Sequence, residues 1–332
     1  MKRALLLGLL AWLAGVGTAA AQGVRLNDPL VVSPAELHRL SAPQYGFRYS
    51  TATSKDEQTY DGGKITDDVR DDGMQIIYGA PQSASAYYAV TGEYRTRNVK
   101  HRLDASPSTT TEDDRSRMNI AASGAFKIMD KLLIGATLGS NSLTSKDDDG
   151  GNKDSGYLNS DLGLAVKSET YDAGIVQHIA RIVASGDDTI WAHAQDLHLR
   201  ILTEHASAWT LLVRRGPQTT CCVPTTTHRL TYAVGYNRTL GDIEWSGVYR
   251  YAPAFKEDAR FGKAYDISRH RVEFGGHYAL TTGTQFGLSA SYENGHDKNA
   301  AVEIPTALET VETADYKASA FGAAATVTVN MQ

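Results

Sequence analysis

The sequence predicts an all-β fold: a transmembrane up-and-down antiparallel β-barrel of about 14 strands, with short periplasmic turns and long extracellular loops. Three observations predict it. Apolar and polar residues alternate in stretches of roughly ten, the length of a tilted membrane-spanning strand. The connections alternate as well, a short turn after one stretch and a long charged segment after the next. And the chain opens on a segment patterned for export.

That segment is residues 1–21. Lys2 and Arg3 form a positive start, an apolar run follows, and Ala19-Ala20-Ala21 supplies small residues for cleavage, so a mature chain is expected to begin near Gln22. Residues 22–43 precede the first strand. In Ser33-Pro34-Ala35-Glu36, Ser is a natural N-cap, Pro fits the first helical position, and Glu three residues on completes a capping box. Leu37 and Leu40 add a small apolar stripe. Ser33, Pro34, Glu36 and Leu37 are therefore plug candidates for the barrel mouth; an unstructured periplasmic tail is the other reading.

The barrel is expected over residues 44–332. Tyr45, Phe47 and Tyr49 share one face of the first strand, and a charged loop is expected through Asp72. Met74, Ile76 and Tyr78 face outward on the second strand, and a short turn at residues 81–84 follows. The third carries Tyr88, Val90 and Tyr94 outward, and residues 98–115 read as a second long loop. The clearest hairpin comes next. Met118, Ile120, Ala122, Gly124, Phe126 and Ile128 form one face; after a turn, Leu132, Ile134, Ala136 and Leu138 resume it. A third loop centres on residues 147–152, and Leu158, Leu162, Leu164 and Val166 mark strand six. Residues 169–215 alternate less cleanly, though Trp191 and Trp209 suit a membrane interface. Leu230 to Tyr251 gives a further hairpin about Leu240-Gly241-Asp242. Val272 to Tyr292 gives another, and Phe321, Ala323, Ala325, Val327 and Val329 the closing strand. An even count places both termini on the periplasmic side.

Composition allows this fold. The chain has 332 residues, 42% of them hydrophobic and 21% charged, and a mean hydropathy of -0.33. In a barrel only every second strand residue meets lipid, so the average stays low. A net charge of -5 gives no reason to expect nucleic acid.

The positions alternating with the lipid face carry both signs. Glu93, Arg95, Lys127, Arg229, Glu244, Arg250, Arg271, Glu273, His277 and Glu293 are the lumen-lining candidates, with Lys317 beside them. Unpaired and dry, such charges would be very costly, so they imply a wet lumen or a paired network across it. Their mixture predicts no strong ion selectivity.

Other constellations carry little. His193 and His198 are five apart, which on a strand puts them on opposite faces. The Asp147-Asp148-Asp149 run lacks the spacing of a calcium loop. Cys221-Cys222 is an adjacent pair suited at most to a local disulfide. No nucleophile motif is present. No catalytic residue, metal or cofactor is expected, although a barrel-embedded hydrolase stays open as a minor reading.

Ser33-Pro34-Ala35-Glu36-Leu37, some ten residues before the first strand, resembles the Asn-Pro-Ala-Gly-Leu motif of the outer-membrane long-chain fatty-acid transporters, the FadL-like family. Ser replaces Asn and Glu replaces Gly. The resemblance implies fourteen strands, an N-terminal hatch and uptake of hydrophobic compounds, and it carries over no binding residue.

The expected protein is an outer-membrane channel or transporter for passive uptake of small solutes, hydrophobic ones included. The alternative is a structural or surface-interaction barrel without transport. Expected partners are outer-membrane lipid and lipopolysaccharide, the barrel assembly machinery and a small solute, and no nucleic acid. The chain ends Val329-Asn330-Met331-Gln332, without a terminal aromatic.

Overall fold

A computed structural model describes residues 34–40, 42–104, 108–146, 152–183, 189–203, 207–220, 223–259, 262–280, 283–304 and 309–330. The predicted export segment, Ser33, the centre of the acidic loop at residues 147–151, and Cys221-Cys222 lie outside these residues. So do the side chains of Glu36, Trp191 and Arg229.

The strands are β1 (Gln44–Tyr60), β2 (Gly63–Pro81), β3 (Ala86–Asp104), β4 (Thr109–Met129), β5 (Leu132–Lys146), β6 (Asn152–Lys167), β7 (Tyr171–Val183) and β8 (Thr189–Thr203). They continue as β9 (Ser207–Thr220), β10 (Val223–Leu240), β11 (Ile243–Ala252), β12 (Phe255–Ala259), β13 (Gly262–Asp266), β14 (Arg269–Ala279), β15 (Thr284–Ile304) and β16 (Glu309–Asn330). Among the described residues fourteen strands, all but β12 and β13, form one closed antiparallel barrel. Each pairs with its neighbour in sequence, except that β11 pairs with β14 across the inserted β12–β13 hairpin. Closure runs the length of β1, from Gln44 opposite Asn330 to Thr59 opposite Asp315. Gln44 Nε2 also donates to Asn330 Oδ1 at 2.7 Å, tying both ends of the barrel at one rim. No edge is left open, as spanning a membrane requires.

The two faces are inverted relative to a water-soluble protein. Ile76 (61% exposed), Leu138 (70%), Leu162 (53%), Leu197 (56%) and Leu288 (57%) stand on the outer surface. Their neighbours Gln75, Thr137, Asp161 and Asp196 are buried inside. A continuous apolar outer belt of this size needs a partner, and lipid is the one that a closed cylinder meets on every side. Aromatic rings cluster near the rim with both termini. Tyr45 and Tyr78 pack at 4.8 Å, Tyr78 and Tyr88 at 5.9 Å, and Trp209 and Tyr236 at 4.7 Å between ring centroids. Trp209 thus takes the interfacial place expected of it. This is the architecture of an outer-membrane up-and-down barrel.

The periplasmic turns are short, and Gly241, with φ of 61°, turns β10 into β11. The opposite end differs from expectation in form. The segments read as long loops before Asp72 and over residues 98–115 are mostly strand. β1 and β2 run on to a tight turn at Asp61-Gly62, where Gly62 has φ of 114°, and β3 and β4 continue to Asp104 and Thr109. The long outer connections are paired arms that project past the apolar belt. Their charges pair across the strands: Lys64 Nζ with Glu57 Oε1 at 2.8 Å, Lys100 Nζ with Glu112 Oε1 at 2.8 Å, and Asn98 Nδ2 with Asp114 Oδ1 at 2.5 Å. Both faces meet water there, so the apolar alternation disappears while the ladder continues.

Before the barrel, Pro34–Arg39 forms a short 3-10 helix. It lies inside the periplasmic mouth. Ala35 packs with Leu133 and Ala165, and Leu37 and Leu40 pack with Ile77, Ala89 and Ala125. Close approach depends on two inward glycines. A Cβ on Gly135 would overlap Ala35 N and the carbonyl carbon of Pro34, and one on Gly79 would lie 2.9 Å from Leu40 Cδ1. Of the plug candidates, Pro34 and Leu37 are buried in this contact.

Candidate functional site

The site is the inner wall, and the alternation of each strand builds it. A residue flanked by two lipid-facing side chains has to point inward. Arg48 lies between Phe47 and Tyr49, Glu93 beside Tyr94, and Asp161 beside Leu162. The inward residues meet in two connected groups.

The first group spans β3 and β4 and reaches β1, β11 and β14. Arg117, 1% exposed, donates from Nη2 to Glu93 Oε2 at 2.8 Å. Arg95 donates from Nε to the other oxygen of the same carboxylate. A small polar cavity of about 50 Å³ is lined by Arg48, Ser50, Gln75, Glu93 and Arg95 among others, room for a few water molecules. Arg48 is within electrostatic reach of Glu273, Glu93, Arg95 and Arg271. Arg271 lies 3.6 Å from Glu273 and donates to Ser291 Oγ at 3.1 Å. Arg250 is within reach of Glu273, Arg271, Arg214 and Asp196, which joins this group to the next.

The second group crosses four adjacent strands, β6 to β9. His178 Nδ1 faces Asp161 Oδ1 at 2.8 Å, and His178 Nε2 faces Asp196 Oδ2 at 3.1 Å. With a carboxylate on each nitrogen, both nitrogens donate and the ring is held as imidazolium. Arg214 then grips Asp196 with two bonds, Nε to Oδ1 at 2.7 Å and Nη2 to Oδ2 at 2.6 Å. Asp161, His178 and Asp196 are buried. A bidentate pair of this kind is strong and directional. Together the two groups form a belt of charge around much of the barrel wall.

The structure sorts the sequence candidates by height. Glu93, Arg95, Arg250, Arg271 and Glu273 belong to the belt. Lys127 has lumen parity but sits at the periplasmic rim, 3.3 Å from Asp130 in the adjoining turn. Glu244 is also near that rim, accepting from Asn237 Nδ2 at 3.2 Å. His277 is buried on the inner face beside Gly287. Glu293 joins the belt at its outer edge, directly across the ladder from Arg271 and 3.5 Å from Arg269 Nη1. There Arg269 also donates to Asp56 Oδ2 at 3.1 Å, and Tyr316 donates to the same oxygen at 3.2 Å. His193 and His198 face opposite sides, His193 exposed and His198 buried.

Arg48, Arg117, Asp161, His178, Asp196 and Arg214 were missing from the sequence candidates. The signal was there, since each alternates with lipid-facing residues. Arg117 lies where a charged arm runs into the belt, and β7 to β9 carry the weakest alternation; Arg48 sits in a clearly alternating stretch between Phe47 and Tyr49.

Closed wall, inverted faces and charged interior define an integral outer-membrane β-barrel of the up-and-down class. Within that class the chain is weakly similar to the FadL-like transporters. It superposes on the P. putida toluene transporter TodX with a TM-score of 0.64 at 12% identity, covering 92% of this chain and 94% of that one. For a Pseudomonas aeruginosa FadL homologue the TM-score is 0.61 at 12% identity, covering 96% and 98%. For the CymD monoaromatic hydrocarbon channel it is 0.60 at 12% identity, covering 95% and 94%. At these identities the likeness establishes the fold alone. No family profile and no curated protein matches the sequence.

Proposed function

We propose that this protein is an outer-membrane channel for passive movement of small solutes. The observation that carries the reading is the combination of a lipid-facing outer belt with a charged inner belt of half-exposed and buried groups. Burying so much charge is costly, and a wall alone would not need it; a solvated path explains it. The helix in the periplasmic mouth fits the same reading as a partial plug. Residues 1–21 are proposed to direct export, lipid and lipopolysaccharide to surround the belt and the charged outer arms, and the assembly machinery to insert the chain. No catalytic role is proposed.

Conductance in planar bilayers and swelling of liposomes loaded with small sugars test the reading. Folded barrel that gives neither would sink it, and would favour a structural or surface-interaction barrel.

A second reading is that the solutes are hydrophobic. Apolar clusters at both ends of the inner wall favour it: Leu37, Leu40 and Ile77 at the periplasmic mouth, and Ile267, Tyr316 and Ala318 with Tyr60 at the outer mouth. The solved structures of similar fold include toluene and monoaromatic hydrocarbon channels. Faster toluene uptake by cells making the protein would support this version.

A further inference from the structure

Resting on the channel reading, we propose that the charge belt selects small hydrophilic anions, carboxylates among them, over cations and over neutral hydrocarbons. The sequence candidates looked balanced in sign, but their positions are not. Lys127 and Glu244 lie at the periplasmic rim, away from the belt. What remains at the belt on the side of β1, β3, β4, β11, β14 and β15 is five arginines, Arg48, Arg95, Arg117, Arg250 and Arg271, among three carboxylates, Glu93, Glu273 and Glu293, the last directly across the ladder from Arg271.

The rest of the belt does not offset this excess. Asp161, His178, Asp196 and Arg214 alternate in sign and close on one another, with the imidazolium and the guanidinium matching the two carboxylates. Asp71, further out, faces Arg97 at 3.8 Å. The positive excess is therefore local to one side of the lumen.

It is also within reach of a passing solute. The side chains of Arg95 and Arg271 are 35% and 42% exposed on the lumen side of the wall. Arg48 and Arg95 line the small polar cavity beside them. Guanidinium groups are weakly hydrated and present a planar fork that matches a carboxylate. A cluster of fixed positive charge on one side of a passage raises the local anion concentration and repels cations. A neutral hydrocarbon would gain nothing from these groups and would strip water from them.

The test is the zero-current potential of the full-length purified barrel in planar bilayers across a potassium chloride gradient, repeated with potassium acetate. The expected result is a chloride-to-potassium permeability ratio of about three or more, with acetate permeant. Arg48→Gln with Arg271→Gln is expected to bring the ratio close to one, whereas Glu273→Gln is expected to raise it. Opposite shifts from the two variants exclude a general folding defect, and heat-modifiable migration on gels confirms that each is folded. A ratio at or below one, or a ratio that neither variant moves, overturns the proposal and leaves the channel reading standing. Toluene uptake without anion conductance overturns it in favour of hydrophobic solutes. If neither current nor sugar-driven swelling is found, the channel reading falls and this inference falls with it.

Discussion

Ala35 rests directly on Gly135. The backbone of the short pre-barrel helix touches the inner wall of β5 where no side chain intervenes, and any Cβ at Gly135 would occupy the same space as Ala35 N. The glycine converts an otherwise filled position into a seat, and the apolar residues Leu133 and Ala165 complete it.

Replacing Gly135 with Val should therefore unseat the helix while leaving the wall intact, since the new side chain points into the lumen. The expected outcome is a several-fold larger mean conductance in planar bilayers, with heat-modifiable migration preserved. Unchanged conductance in a folded variant would show that the helix does not limit the path.

Arg117 and Glu93 are the most deeply buried ion pair of the first group. Removing one partner leaves the other charge buried without it, a loss of about 3–5 kcal/mol. Arg117→Ala is expected to lower unfolding stability in urea, measured in lipid vesicles, by that order. Changing both residues to Gln should cost less than the single change, because the buried carboxylate goes with its buried partner and only the half-exposed Arg95 loses one. Equal losses would mean the pair is not coupled.

Leu162 faces outward, 53% exposed, midway between the outward-facing Leu158 and Val166 on its strand. In water such a site would accept Arg at little cost, but at the midplane of a bilayer Arg costs about 2–4 kcal/mol. Leu162→Arg should destabilise the barrel in vesicles by that amount, and an unfolding midpoint equal to wild type would argue against a lipid face there.

The outer arms should respond to pH in two directions. The hydrogen bond of His101 to Asp67, 2.7 Å away, raises its pKa above 6.5 against a smaller lowering by burial. A raised histidine contributes fully below its ordinary value, and the contribution fades as pH rises through the raised one. Glu57 runs the other way. Hydrogen bonds from Lys55 and Lys64 hold it down to about 2 from 4.5, so its contribution is present above 4.5 and is lost as pH falls toward 2. Protection of the β1–β2 and β2–β3 arms against limited proteolysis should therefore be greatest at mildly acidic pH, between 4.5 and 6.5. His101→Gln should remove the alkaline loss and leave the acidic one. Indifference of the wild-type arms to pH would dismiss both pairs.

Much of the wall was legible. Ile76, Phe126, Leu138 and Phe321 were assigned outward from a period of two, and they stand outward, because the pleat orients side chains locally whatever the rest of the chain does. The helix start at Pro34 was legible because proline's fixed φ suits a first helical position. The outer arms were not. Residues such as Asp56, Asp67 and Lys100 read as loop because they lack an apolar face, yet cross-strand charge pairs extend the ladder through them. The β12–β13 insertion was missed as well, being short and carrying no strong alternation.

By itself the sequence determined the strand number, the two faces, the shared rim of the termini and the inward direction of most charges, all consequences of local geometry and chain order. Only the tertiary structure decided that β1 closes on β16, that Ala35 sits on Gly135, and which charges share a height. Arg48 and Arg271 come within electrostatic reach of each other across more than two hundred residues of chain. The reason is that strand direction is a property of neighbours, whereas height and partnership depend on how every strand is staggered against the next once the sheet closes.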